Sequence, residues 1–192
     1  MKKLLLLTAF VLVPTAVAYA AGALAVCCAW NLALADGDLT YKISGGNSVA
    51  QATVRAAIED WEVVTGLTLT EITGRTKANI EVKFKEGGGR IAGMALRKFD
   101  GSGFINSVSL SISGKGFGLP NSQAIIAEIT RHEVGHALGL GHADFDDLMG
   151  PFVGGTNTIS ACDISGVREA NHWKLVDGDA APHIPHVTSI GC

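Results

Sequence analysis

The sequence predicts an α+β fold, a mixed twisted sheet with three helices. Two observations predict it. Apolar periodicity switches along the chain between period 2 and helical spacing, in the order strand, helix, several strands, helix, loop, helix. Then the stretch "RHEVGHALGLGHADFDDLMGP", Arg131 to Pro151, gathers three of the six histidines around the end of one helix.

Each element has its own signal. "DLTYKIS" alternates, with Leu39, Tyr41 and Ile43 on one face of a half-buried strand. In "SVAQATVRAAIEDWEVVTG", Ser48 and Gln51 read as a capping box. Val54, Ile58 and Trp61 recur at helical spacing, and Gly66 stops the helix. "LTLTEIT" is a second strand and "NIEVKFK" a third, with Ile80, Val82 and Phe84 turned inward. After Gly87 to Gly89, "RIAGMALRKF" is a weaker strand interrupted by Gly93, placed at a sheet edge. "DGSG", Asp100 to Gly103, is a turn, and "INSVSLSIS" puts Val108, Leu110 and Ile112 on one face. After the loop "GKGFGLP", a second helix starts near Asn121 or Ser122. It carries Ile125, Ile129 and Leu138, and ends at Gly139. Ser160 and Asp163 form a capping box for a third helix, "DISGVREANHW". The tail from Leu175 to Cys192 holds two prolines and no period, and reads as irregular.

The chain has 192 residues and a formal net charge of −3. That is enough for one domain with a core, and it gives no electrostatic support for nucleic-acid or anionic-membrane binding. "MKK" followed by an apolar run ending in Ala18-Tyr19-Ala20 reads as a signal peptide, residues 1–20. The alternative is an uncleaved anchor, because the run stays apolar through Ala29. "LAVC" resembles a lipoprotein signal, but Val26 is bulky where such signals want a small residue. All three readings expect a secreted or extracytoplasmic protein. Residues 21–37 read as a linker and 175–192 as a tail around one domain over 38–174. The cysteines are Cys27, Cys28, Cys162 and Cys192. Adjacent cysteines disfavour bonding to each other, so the expected pattern ties the N-terminal pair to Cys162 and Cys192.

The histidine spacing carries the chemistry. Residues i and i+4 share a helix face, so His132 and His136 present two imidazoles to one point. Zn²⁺ binds imidazole nitrogen at about 2.0–2.1 Å, and a catalytic site takes three protein ligands plus water. A glycine at 139 reaches positive φ, ends the helix and turns the chain, so His142 swings back to the same metal. Glu133 is then the general base for water acidified by one catalytic zinc ion, which is peptide-hydrolysis chemistry. Two blander readings compete: histidines satisfied within a core, and a closed structural zinc with Asp144, Asp146 or Asp147 as fourth ligand. The full pattern of three histidines and a glycine makes chance far rarer than His-Glu-x-x-His alone. His172 is placed on the last helix, and His183 and His186 on a solvated tail.

These residues resemble the metzincin signature of zinc proteases, H-E-x-x-H-x-x-G-x-x-H followed by a Met-turn, here ending in Met149 of "DLMGP". "HEVGHALGLGH" and Pro151 are closer still to the matrixins, the matrix-metalloproteinase-like branch. "LTYKI", "AIEDWEVVTGLTLTEI" and "ANIEVKF" extend the resemblance over Asp38 to Trp173. It implies a zincin-like catalytic domain over 38–174, with His132, His136 and His142 as zinc ligands, Glu133 as catalytic base and Met149 as the floor beneath the zinc. It implies an edge strand through Ala92, Gly93, Met94 and Ala95 that pairs with extended substrate. Pro151, Phe152 and Val153 would wall the pocket for the side chain just after the scissile bond, and Leu138 would add to that apolar pocket.

The chain departs from the family pattern in places. The span from His142 to Met149 is about one residue short, and Gly150 stands where an aromatic is common. No histidine precedes Arg131, so a second, structural zinc lacks ligands. "FDGSG" resembles a calcium loop of common composition, which makes calcium a lesser expectation. No cysteine-switch prosegment is visible. The expected protein is a secreted, monomeric zinc endopeptidase acting on protein or peptide substrates. The alternative, a catalytically weak zinc-fold protein that binds peptides or a surface partner, is opposed by the intact Glu133.

Overall fold

The computed structural model describes residues 22–30, 38–85, 91–116, 119–144, 146–171 and 188–192. The proposed signal peptide, the glycine run at 87–89, His172, His183 and His186 lie outside the described residues. The main sheet holds β2 (Asp38–Ser44), β3 (Thr68–Glu71), β4 (Ile80–Lys85), β5 (Gly93–Phe99) and β6 (Ile105–Ser113) in the order β3-β2-β4-β6-β5. Its pairs are parallel except β5 on β6, so β5 is an antiparallel edge strand. Helices α1 (Ser48–Thr65) and α2 (Gln123–Ala137) pack on each other, and α2 also lies against β5 and β6. The core between these layers holds the residues their periodicity marked: Val54, Ile58 and Trp61 of α1, Ile80 and Val82 of β4, Val108, Leu110 and Ile112 of β6, and Ile129 of α2. Phe84 is only partly buried and covers the turn at Gly46.

The caps refine the helix starts. Asn47, not Ser48, caps α1, and its side chain accepts from the Ala50 amide. Gln51 reaches back to the Gly45 carbonyl at 2.9 Å instead of completing a box with Ser48. Gly66 ends α1 in the left-handed region, φ 73°. Ser122 caps α2, and Ser160 with Asp163 forms a full capping box on α3 (Ala161–Ala170).

Two segments without a sequence signal turn out to be strands. Residues read as a linker include β1 (Ala23–Val26), and the tail read as irregular includes β10 (Thr188–Gly191). They join β9 (Leu140–Ala143) in a small sheet of order β10-β1-β9. This sheet also corrects the cysteine expectation. The disulfides are Cys27–Cys28 and Cys162–Cys192. Antiparallel pairing places Cys192 beside Gly22, its amide donating to the Gly22 carbonyl at 2.8 Å. Cys27 lies five strand residues further on, about 16 Å away. A disulfide needs Cα atoms within about 7 Å, so Cys192 meets Cys162 at the start of α3 instead.

A short hairpin, β7 (Lys115–Gly116) with β8 (Leu119–Pro120), completes the described strands. Among the described residues no helix is long and apolar enough to cross a membrane.

Candidate active site

α2 delivers the first two histidines because its polar residues fall on the buried side. His132 and Glu133 are 6 % and 4 % exposed. The Nδ1 atoms are used within the chain. His132 Nδ1 donates to the Leu148 carbonyl at 2.7 Å, and His136 Nδ1 to the Leu140 carbonyl at 2.9 Å. These bonds set the tautomer and leave each Nε2 lone pair facing the site. Burial holds the His132 pKa below the usual imidazole range and pushes that of His136 down to about 3. Both rings are therefore neutral, the form that binds metal.

Gly139 makes the third histidine converge. Its φ is 101°, and a Cβ there would fall 2.1 Å from the Cys28 carbonyl oxygen. The chain leaves α2 at this turn and enters β9, where β1 pairs with it on one edge. The Cys27 amide donates to the Gly139 carbonyl at 2.9 Å, and the Asp144 amide to Ala23 at 3.0 Å. Thus β1, from the supposed linker, braces the strand that carries His142. The ligand atoms of His132, His136 and His142 lie within 4.8 Å of one another. Gly139→Ala is expected to cost about 3 kcal/mol or more, since it adds left-handed strain to a backbone clash. Thermal unfolding should show a Tm lower by about 10 °C, with weaker zinc retention.

Zinc fits this set. Three imidazoles converge, and Glu133 Oε2 beside them is buried with no hydrogen-bond partner. Burial pushes the Glu133 pKa up to about 8 without metal. A divalent cation next to it favours the carboxylate. Among the described residues, these histidines are the one group of three or more ligating side chains. Asp144 does not join them. Its Oδ1 accepts from the Ala23 amide, and Asp147 accepts from Leu148 and Ser160. Asp100 turns its own loop by accepting from the amides of Ser102 and Phe104.

Met149 is fully buried and close to Gly135, where a Cβ would meet its sulfur at 2.5 Å. A cleft of about 900 Å³ opens over the site. Ala92, Gly93, Met94 and Ala95 line it, as do Pro151, Phe152 and Val153. Gly93 stands directly over the base: a Cβ there would fall 2.3 Å from Glu133 Oε1. Leu138 does not reach the cleft. It is fully buried in the core, and Ile125 takes the apolar position expected of it.

Sequence reading missed two supports. Glu128, one helical turn before His132 and 1 % exposed, accepts from the amides of Gly154 and Asn157. It pins the loop behind Val153. Its signal was a carboxylate at i−4 on the ligand face. Arg97, on β5, also lines the cleft, with nothing in the sequence to set it apart.

This architecture is that of a zincin-type metal centre set under an edge strand. The matrixin family model matches residues 30–171, and the chain belongs to the matrixins. No curated protein matches it. A solved structure of myroilysin aligns with TM-score 0.52 and 14 % identity, covering 77 % of this chain and 98 % of that one. At that identity the likeness speaks for the fold alone. Family membership and the three-histidine cluster support a zinc metalloprotease with protein substrates.

Proposed function

We propose that this protein is a secreted zinc endopeptidase that cuts extended protein segments, with Glu133 as the general base. The observation that carries this reading is the orphaned Glu133 carboxylate buried beside three converging imidazoles, under an open strand edge. His132, His136 and His142 would hold the zinc, which when bound acidifies a water and polarises a carbonyl. Glu133 takes the water proton on its free oxygen and returns it to the departing amine. Gly93 leaves room for that carboxylate. Ile125, Phe152 and Val153 form an apolar wall, suited to an apolar side chain just after the scissile bond.

Substrate main chain would add to β5 as an extra strand. The Ser113 amide donates to the Ala92 carbonyl, so Ala92, Met94 and Leu96 turn their backbone groups toward β6. Gly93 and Ala95 then turn theirs outward. Ala95→Pro removes one outward donor and leaves the β6 ladder whole. It should lower kcat/KM for long peptides about tenfold, with zinc content and circular dichroism unchanged. Met94→Pro would instead break a β6 bond.

Casein and a diverse peptide library, assayed with and without chelator, test the whole reading. Chelator-sensitive internal cleavage is expected. Zinc-loaded protein that cuts no peptide would leave the peptide-binding alternative.

A further inference from the structure

We infer that Arg97 is an anion subsite of the cleft, which receives an acidic substrate side chain about three or four residues before the scissile bond. The inference rests on the endopeptidase reading and deepens it.

Arg97 and Glu133 are the two acidic or basic side chains, apart from the three histidines, among the described residues that line the cleft. Arg97 has no carboxylate partner among the described residues. The three described ion pairs are Arg55–Glu71, Lys83–Glu81 and Arg131–Asp60. Its hydrogen bonds to the described residues are all made by one nitrogen. Nη1 approaches both Cys27 and Cys28 sulfurs and the carbonyls of His136 (3.2 Å) and Leu140 (3.4 Å). Nε and Nη2 have no acceptor among the described residues. Arg97 lines the cleft with its Nε–Nη2 edge uncommitted among the described residues, and such an edge matches a carboxylate with two parallel hydrogen bonds.

The geometry fixes which substrate residue arrives there. Gly93 stands over Glu133, and Arg97 reaches the carbonyls at the C-terminal end of α2. The apolar wall lies at the other end, where Gly155 abuts Ile125 and Gly154 bonds Glu128. If that wall holds the residue after the scissile bond, Arg97 faces the residues before it. Four strand residues separate Gly93 from Arg97, about 13 Å, or three to four residues of extended substrate.

The test uses matched peptides carrying Glu or Gln at each position from two to five before the cut. They are assayed with the full zinc-loaded protein, R97Q and R97K, and zinc content is measured for each. The wild type should favour Glu at one position by about ten- to a hundredfold in kcat/KM, less so in high salt. R97Q should bring the Glu/Gln ratio to near one, and R97K should keep part of the preference. A Glu/Gln ratio near one in the wild type at every position overturns the subsite, whatever the variants do. A preference that survives R97Q overturns it too, and so does an equal loss on both peptides, which would mark Arg97 as a structural cap of α2. Wild type that cuts neither member of any pair overturns the endopeptidase reading and the subsite with it.

Discussion

Glu133→Gln is expected to lower kcat by about 10²–10⁴-fold while zinc content and fold persist, because it removes proton transfer without removing a ligand. Single-turnover hydrolysis with parallel zinc analysis checks this. Near-wild-type turnover would exclude Glu133 as the base. Stability supplies a second readout. In the metal-free protein the Glu133 pKa is pushed up to about 8 by burial, from 4.5 in the ordinary carboxyl. Between those values the native state binds more protons than the unfolded one, so its stability falls as pH rises from about 4.5 to 8. The Gln variant lacks this group. With chelator present it should lose that part of the pH dependence and unfold at a higher Tm than wild type at pH 8.

His142→Ala is expected to weaken zinc binding by more than about 100-fold and to abolish peptidase activity. Loss of an outer partner of a ligand already costs about 10–100-fold in metal affinity, and a direct ligand counts for more. The fold should persist, since His142 is exposed on β9 and makes none of the core. A competition titration with a chelator of known affinity measures the effect. Wild-type affinity in this variant would remove His142 from the ligand set, and an anomalous map would then show what replaces it.

Much of the site was legible because its determinants are local. Four residues make a little more than one helical turn, so His132 and His136 share a face whatever surrounds them. Gly139 ends that face because positive φ is open to glycine. The alternation in Leu39–Ile43 and Val108–Ile112 marked strands for the same reason: each strand's pleat sorts its own side chains. Asn47 outcompeted Ser48 as a cap by one residue, a margin set by where the Gly45-Gly46 turn releases the chain.

What remained hidden depends on contacts between distant segments. Residues 23–26 have too short a run to announce a strand, and become one because β9 and β10 hydrogen-bond both edges. The disulfides follow from which end of β1 lies beside Cys192. Arg97 reads as an ordinary strand residue until α2 brings the carbonyls of His136 and Leu140 to it. By itself, the sequence determined which three histidines converge, which glutamate lies among them and the turn that unites them. Spacing along a helix and the φ of one glycine are properties of a short stretch of chain. Only the tertiary structure decided which strand braces His142, which edge of β5 is open and which cation faces the cleft. Those depend on through-space distances that no local periodicity encodes.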